Sequence, residues 1–175
     1  LGYWAGTTSG TAWFDDLRLE RLLPVVPAPS WRILGVVYRN LDFSFPASDG
    51  TTHHVVAHLT RDEQRRAARA ARAFFNTDVP ALDSGFMKPQ VTVRFPTRPL
   101  TQLDPQGEGW WPSPANTAPE RDPTFDAVLV IWPATGTNVA TGQPASIGSA
   151  AGLTPDMGTG QPYVTMILDA AINYG

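Results

Sequence analysis

Residues 33–38, ILGVVY, form a continuous apolar run, which is typical of a strand that is buried on both faces of a sheet. A helix is predicted from Arg61 to about Asn76, because Thr60 can cap its first turn and Glu63 follows three residues later. The apolar stripe of this helix consists of Ala67, Ala70, Ala71, Phe74 and Phe75. A strand that is followed by a helix and further strands favours a crossover connection and a mixed sheet.

Further strands are predicted from sequence patterns at residues 53–59, 90–95, 127–132 and 163–168. The segment QVTVRF (90–95) alternates between apolar and polar residues, whereas AVLVIW (127–132) is apolar throughout, as expected of a central strand. Residues 97–123 and 133–162 show no periodicity and are rich in Pro, Gly and Thr, so they are predicted to be long loops. The predicted fold class is α/β (α+β), with a mixed sheet, one long crossover helix and long loops.

Residues 23–30, LPVVPAPS, contain three prolines and predict an extended linker at a domain boundary. Before this linker, residues 9–22 alternate as a strand, with one face formed by Trp13, Asp15, Leu17 and Leu19. The carboxylate on this apolar face needs an ion, a charge partner or a hydrogen bond. Because a lone strand is not stable in water, residues 1–22 are predicted to be the last strand of a β-sandwich whose other strands lie elsewhere. Residues 31–175 then form an incomplete α/β domain.

Composition excludes several classes of protein. Apolar residues make up 42% of the 175 residues, which is enough for a core. A net charge of −3 without a long run of one sign argues against a nucleic-acid partner, and no stretch reaches the roughly 20 apolar residues of a membrane span. The absence of Cys excludes disulfides and thiolate metal sites, and is compatible with export. The basic residues are twelve Arg and Lys88, which we interpret as a compositional bias.

Two short motifs suggest chemistry but also have simpler explanations. His54 and His58 would share one face of a strand and could hold a metal, although surface histidines are the favoured interpretation. The triplet Asp83-Ser84-Gly85 is similar to that of aspartic proteases, which need two such carboxylates. The chain has no second copy, so a turn is predicted there. The sequence contains no GxxxxGK[ST], GxSxG or HExxH motif.

Trp110 and Trp111 lie in a Pro-rich loop and allow two interpretations. Exposed aromatic rings could form a platform for a sugar or a peptide. Alternatively, the two rings pack the loop against the sheet, which is the interpretation we favour.

The segment GTAWFDDLRLERL (10–22) resembles the C-terminal strand of the jelly-roll carbohydrate-binding modules that accompany secreted bacterial enzymes. In that family an Asp after the aromatic pair often ligates a structural Ca²⁺ ion. The resemblance therefore implies a calcium ligand at Asp15. The sugar-binding face of such a module is not part of this chain.

The order of elements over residues 31–175 resembles the N-terminal subdomain of zincin-like metallopeptidases of secreted bacterial proteins. The resemblance implies that 163–168 is an antiparallel edge strand that pairs with an extended peptide substrate. The substrate-binding residues would be Tyr163, Val164, Thr165 and Met166, together with Trp110 and Trp111. No catalytic residue can be assigned, because the zinc-binding HExxH is absent and the sequence reaches Gly175 where the zinc helix is expected. The zinc ligands would lie outside this chain.

The leading hypothesis is a fragment of a secreted, multidomain, metallopeptidase-like protein at the cell surface or outside the cell. Its partners would be a peptide or a polysaccharide and the missing strands of the first domain, and its ions would be zinc and calcium. One alternative is a non-catalytic adhesion, surface-layer or filament subunit, because Ala-, Thr-, Gly- and Pro-rich loops suit such assemblies. A second alternative is an accessory region of a glycoside hydrolase, which rests only on the module-like N-terminal segment.

Overall fold

A computed structural model describes residues 29–47, 50–107, 109–148, 152–154 and 160–168. The predicted β-sandwich strand, the predicted calcium ligand Asp15 and residues 23–28 of the predicted linker lie outside the described residues, so these stay predictions. The first described strand begins at Ser30, the last residue of the predicted linker.

The described strands are, in chain order, β1 (Ser30–Val37), β2 (Asn40–Pro46), β3 (Thr52–His58), β4 (Lys88–Arg94), β5 (Asp104–Gln106), β6 (Gly109–Trp111), β7 (Ala127–Trp132), β8 (Thr135–Asn138), β9 (Pro144–Ser146), β10 (Gly152–Leu153) and β11 (Tyr163–Ile167). Helix α1 (Arg61–Ala73) continues through a π-helical turn (Phe74–Asp78) into the short helix α2 (Val79–Leu82). A 3₁₀ turn occupies Ala118–Glu120. Within the described part of the chain, no helix combines the length and apolarity needed to cross a membrane.

The central sheet has five strands in the order β10-β11-β7-β1-β4. Strands β11, β7, β1 and β4 run parallel, and β10 pairs antiparallel with β11. Strand β1 lies in the interior of this sheet, and its residues from Ile33 to Val37 are buried. The predicted α+β class, the mixed sheet and the buried strands at 33–38 and 127–132 are confirmed.

The crossover from β1 to β4 contains the β2–β3 hairpin followed by helix α1. Thr60 caps α1 through its side chain, and the Glu63 carboxylate accepts from the Thr60 backbone N–H at 2.7 Å, so the predicted start is confirmed. Three alanines of α1 are buried, and the cluster on this face of the sheet joins α1 to Val37, Leu129 and Ile131. Phe74 was predicted on the buried stripe but is 40% exposed, because the π-helical turn interrupts the helical repeat there.

The predicted turn at residues 83–85 is confirmed. The Asp83 carboxylate accepts from the backbone N–H groups of Phe86 at 3.0 Å and Met87 at 2.8 Å. Ser84 and Gly85 both have positive φ angles, of 58° and 75°, which a tight reversal requires. The triplet therefore forms the turn that connects α2 to β4, and the Asp83 carboxylate serves to cap it.

The opposite face of the central sheet is covered by a second sheet and by the segment 97–126. The second sheet has the order β2-β3-β8-β9 and is antiparallel throughout. Its inner residues, including Leu41, Phe43 and Val55, join Leu34, Val130 and their neighbours in the larger hydrophobic core. The predicted loop 133–162 thus contains three short strands, which were missed because two to four residues are too few to show a period.

Candidate functional site

The antiparallel edge of the central sheet is formed by β10 and not by β11. Strand β11 lies between β7 and β10 and runs parallel to β7. The prediction that residues 163–168 form an antiparallel edge strand is therefore wrong. The edge strand itself has only two residues, Gly152 and Leu153, in a stretch whose sequence shows no strand pattern. The error arose because 163–168 carries the only strong apolar pattern in this region.

Strand β10 approaches β11 closely because it begins with a glycine. A Cβ atom at Gly152 would lie 2.9 Å from the carbonyl oxygen of Thr165, closer than two such atoms pack. The register pairs Gly152 with Met166 and Leu153 with Thr165. Among the described residues no strand pairs with the other side of β10, so within this part of the chain that side is an unpaired backbone edge.

The side chains predicted to contact substrate lie mostly in the core. Tyr163 and Thr165 are each 1% exposed. Tyr163 belongs to the larger hydrophobic core, and the Thr165 hydroxyl donates to the Leu153 carbonyl oxygen in β10 at 3.4 Å. Val164 and Met166 are partly buried against the cluster beneath α1. The Tyr163 hydroxyl donates to the carbonyl oxygen of Pro112 at 2.7 Å. Tyr163 and Thr165 therefore hold β11 in place and offer no surface to a ligand, whereas Val164 and Met166 are partly exposed and their contact with a substrate stays a prediction. The antiparallel edge strand that was predicted at β11 is instead β10, the neighbouring strand.

The two tryptophans of the Pro-rich loop have a packing role. Trp111 is 3% exposed, and its ring lies 5.7 Å from that of Trp132 in an edge-to-face contact. Trp110 is half-buried and packs against the rings of Phe43 at 5.3 Å and Phe45 at 5.7 Å. Both rings therefore attach the β5–β6 hairpin to the core.

A partly buried polar network holds the segment 97–126 against Tyr38, and no sequence pattern predicts it. The Tyr38 hydroxyl donates to Glu120 Oε2 at 2.6 Å, and Arg98 Nε donates to Glu120 Oε1 at 2.6 Å. Arg98 Nη2 also donates to the Asn116 carbonyl oxygen at 3.0 Å. Since the same segment contains the Pro112 carbonyl that accepts from Tyr163, the network connects the end of β1 to β11.

The network changes the acidity of its members. Burial raises the pKa of the Tyr38 hydroxyl far above its usual range, and the neighbouring Glu120 carboxylate raises it further. Burial alone would raise the pKa of Glu120, but hydrogen bonds from Arg98 and Tyr38 outweigh burial and hold that pKa below its usual value. The carboxylate is therefore ionised at neutral pH and the phenol is protonated, which is the arrangement that their hydrogen bond requires.

His54 and His58 each contact a polar side chain of the neighbouring strand β2. His54 Nε2 lies 2.7 Å from Asp42 Oδ1, while His58 contacts Asn40 Oδ1 through Nδ1 at 2.6 Å and Arg39 through Nε2 at 2.9 Å. In the described part of the chain, no three His, Cys, Asp or Glu side chains group together as ligands for an ion. Both rings lie on the polar outer face of the second sheet, as the surface interpretation expected.

Two cavities lie at opposite ends of the central sheet. The smaller, of about 180 Å³, lies at the carboxyl ends of the strands and is lined by His58, Glu63 and Thr135 among others. Its Glu63 carboxylate is already bound by Thr60. The larger, of about 580 Å³, lies at the amino ends beside Gln161, whose amide donates to two carbonyl oxygens of the chain. The main polar groups of both cavities are thus engaged with protein partners.

The free edge of β10 is therefore the feature of the described residues that is best suited to bind another molecule. Its geometry suits an extended backbone, because strand pairing needs no particular side chain on the partner. Comparisons of the chain with protein-family models, with curated proteins and with solved structures found no match.

Proposed function

We propose that this chain is part of a secreted, multidomain, metallopeptidase-like protein and that its α/β domain binds an extended peptide along the free edge of β10. The observation that carries the proposal is that, within the described residues, β10 is an antiparallel edge strand on a sheet whose other strands are parallel. An antiparallel edge strand that pairs with substrate is what the zincin resemblance implies. Extracellular or cell-surface localisation is part of the same proposal.

The proposed binding uses backbone hydrogen bonds. An extended peptide beside β10 would add a sixth strand to the sheet, with its side chains alternating between the two faces. The two residues of β10 offer few main-chain groups, so the expected affinity is low and depends on a rigid backing strand. Strand β11 provides that backing, because the buried Tyr163 hydroxyl attaches it to the Pro112 carbonyl.

The proposal assigns no zinc chemistry to the described residues. They contain no group of three potential ligands, and HExxH is absent from all 175 residues. The described residues therefore do not fit a zinc ion, and peptide cleavage through HExxH would require sequence beyond this chain. Reading the gene past Gly175 tests this part: without HExxH or another His-rich helix within about 30 codons, the peptidase hypothesis fails.

Peptide binding can be tested by removing main-chain donors from the ligand. We expect a labelled extended peptide, taken from an unstructured protein such as casein, to bind with a Kd in the range of about 0.1–1 mM. N-methylation at alternate residues should weaken binding about tenfold in one register, because a paired strand directs only every second N–H toward its neighbour. Methylation in the other register should have little effect. Equal effects of the two registers, measured by fluorescence anisotropy, would rule out strand pairing.

A substitution at the edge provides a second test. Gly152→Val is expected to weaken peptide binding at least tenfold, because the new side chain would displace β10 from the Thr165 carbonyl oxygen. Thr92→Val on β4, the strand at the opposite end of the sheet, is the matched control and should bind like the wild type. Unchanged binding by Gly152→Val would place the peptide elsewhere.

The subunit hypothesis has one supporting observation. Within the described residues β4 is the other end strand of the sheet, so its seven residues offer a second backbone edge to another copy of the chain. Analytical ultracentrifugation distinguishes the hypotheses: concentration-dependent assembly that Thr92→Pro abolishes would favour the subunit. A monomer that binds peptide would favour the first proposal.

A further inference from the structure

Five of the chain's arginines lie in helix α1, and all five are exposed to solvent. Four of them recur at intervals of four, four and three residues, which places them on one side of the helix. With 3.6 residues per turn they fall within an arc of about 80° and extend about 16 Å along the axis. We call this row the arginine ridge; it consists of Arg61, Arg65, Arg69 and Arg72.

Most of the charge on the ridge has no counterion among the residues that the structure describes. Arg65 lies 3.6 Å from Asp62 in an exposed ion pair. Arg61, Arg69 and Arg72 make no ion pair with the residues that the structure describes. Helix α1 contains two carboxylates against five arginines, although the chain has 16 acidic and 13 basic residues in total. Positive charge is thus concentrated on one surface of an acidic chain.

The requirements of helix folding do not explain this row. Like charges four residues apart repel each other, and Arg61 lies in the first turn, where the helix dipole disfavours a cation. Glutamate four residues before each arginine would solvate the surface equally well and stabilise the helix. A compositional bias accounts for arginine in place of lysine throughout the chain, but not for a row of arginines. The negative charge that balances the ridge is therefore expected from a partner.

We propose that the arginine ridge binds a linear anionic polysaccharide, whose carboxylate or sulfate groups pair with successive guanidinium groups. A guanidinium group binds such anions through two parallel hydrogen bonds, and a single straight row fits a chain of repeated charges. The ridge shares no residue with the β10 edge, so this proposal does not depend on the proposed function.

Two other polyanionic partners fit the ridge less well. Surfaces for single-stranded nucleic acid add aromatic rings on which bases stack, and nucleic-acid-binding domains are usually basic overall. The ridge contains no aromatic side chain, and the net charge of the chain is −3. Helices that bind membranes place apolar side chains beside the cations, whereas the apolar residues of α1 are alanines, three of which are buried against the sheet.

The proposal is tested by affinity measurements on the intact chain at low and at physiological salt. Heparin supplies sulfate and carboxylate groups and polygalacturonate supplies carboxylate alone, so the two probes distinguish the anions. We expect at least one to bind in about 20 mM salt, and the affinity to fall steeply by about 150 mM. Replacing all four ridge arginines by glutamine should reduce the affinity at least about tenfold, because glutamine keeps the helix propensity and removes the charge. Circular dichroism verifies that the helix persists.

A matched pair of single substitutions locates the binding surface. Arg69→Gln and Arg66→Gln remove the same charge from the same helix, but only Arg69 belongs to the ridge. We expect Arg69→Gln to lower the affinity about threefold and Arg66→Gln to lower it less than about 1.5-fold. Equal losses, no binding of either polysaccharide at low salt, or tighter binding of double-stranded DNA or of anionic vesicles would overturn the proposal.

Discussion

Replacing Gly136 with alanine is expected to lower the free energy of unfolding by about 3 kcal/mol, which is the upper end of the usual range for overpacking. Gly136 lies in β8, between β3 and β9 of the second sheet. A Cβ atom there would overlap the carbonyl oxygen of Val56 and would lie 2.9 Å from Cβ of Ala57. The backbone angle at this residue is not in the left-handed region, so the requirement for glycine is one of space alone.

The clash cannot be relieved by turning a side chain, because its nearest atom belongs to the backbone. Strand β8 would have to move away from β3, which breaks the pairing of Val55 with Asn138 and of Val56 with Thr137. Asn138 is 8% exposed, so its separation from β3 would also hydrate part of the core. We therefore expect a local opening of β8 and β9 as well as a loss of overall stability.

Urea denaturation followed by tryptophan fluorescence measures the change in stability, and hydrogen exchange locates it. The control is Thr135→Ala, an exposed position in the same strand, which should change the free energy of unfolding by less than about 0.5 kcal/mol. Loss of protection should be confined to the second sheet, while β1 and β7 stay protected. Wild-type stability in Gly136→Ala would mean that β8 does not approach β3 as closely as described.

The elements that could be predicted from the sequence are those marked by a pattern of a few adjacent residues, such as an apolar run or a helix cap. The runs at 33–38 and 127–132 are apolar because both strands are covered on both faces, and the start of α1 is visible because Thr60 and Glu63 satisfy each other's backbone and side chain. These local patterns do not depend on contacts with distant parts of the chain. The mixed sheet could be inferred from the order of these elements alone.

The candidate site could be predicted only in kind. An antiparallel edge strand was expected, but a strand of two residues, one of them glycine, is too short to be predicted from sequence. Strand β10 forms because β11 provides the strand with which it pairs. Likewise, Tyr163 looks like any strand tyrosine until its hydroxyl is seen to reach Pro112, 51 residues away in the sequence. The interactions that sequence reasoning missed are those between residues far apart in the chain, for which spacing carries no information.

Replacing Arg98 with methionine is the second change for which a large effect is expected, a loss of about 2–3 kcal/mol. The Glu120 side chain is 12% exposed and would keep only the Tyr38 hydroxyl as a donor from the network. A carboxylate left in this position without its cation has lost the interaction that offset its removal from water. The segment 97–126, which covers one face of the sheet, would be loosened with it.

A second arginine–carboxylate pair provides a matched control. Arg94 Nη2 lies 2.8 Å from Asp122 Oδ2, and the Asp122 side chain is 26% exposed against 12% for Glu120, while the two arginines are 45% and 35% exposed. Arg94→Met should therefore cost less than about 1 kcal/mol, because water replaces the lost partner. Urea denaturation of the two variants compares the same chemical change at two depths of burial. Equal losses would show that the Tyr38–Arg98–Glu120 network contributes no more than a surface ion pair.

The pH dependence of stability separates the charge of Glu120 from its packing. Its pKa is held below the usual value in the folded state, so the unfolded chain binds its proton more readily. The stabilisation is therefore complete above the unfolded pKa and is lost as the pH falls through the lower folded value. Glu120→Gln should lack this contribution, and its deficit relative to the wild type should shrink as the pH falls below the usual glutamate pKa of 4.5.

Asp122 must be separated from this effect, because hydrogen bonds from Thr124 and the nearby Arg94 guanidinium lower its pKa from 3.8 to about 2. The stabilisation that ionised Asp122 provides is also lost as the pH falls, but it persists until the pH approaches about 2. This contribution is present in both the wild type and Glu120→Gln. Subtracting the two unfolding curves cancels it, and Asp104→Asn, at an exposed carboxylate in β5, controls for a simple change of net charge. A deficit that stays constant with pH would mean that Glu120 acts by shape alone, and the charged arrangement of the network would then be wrong.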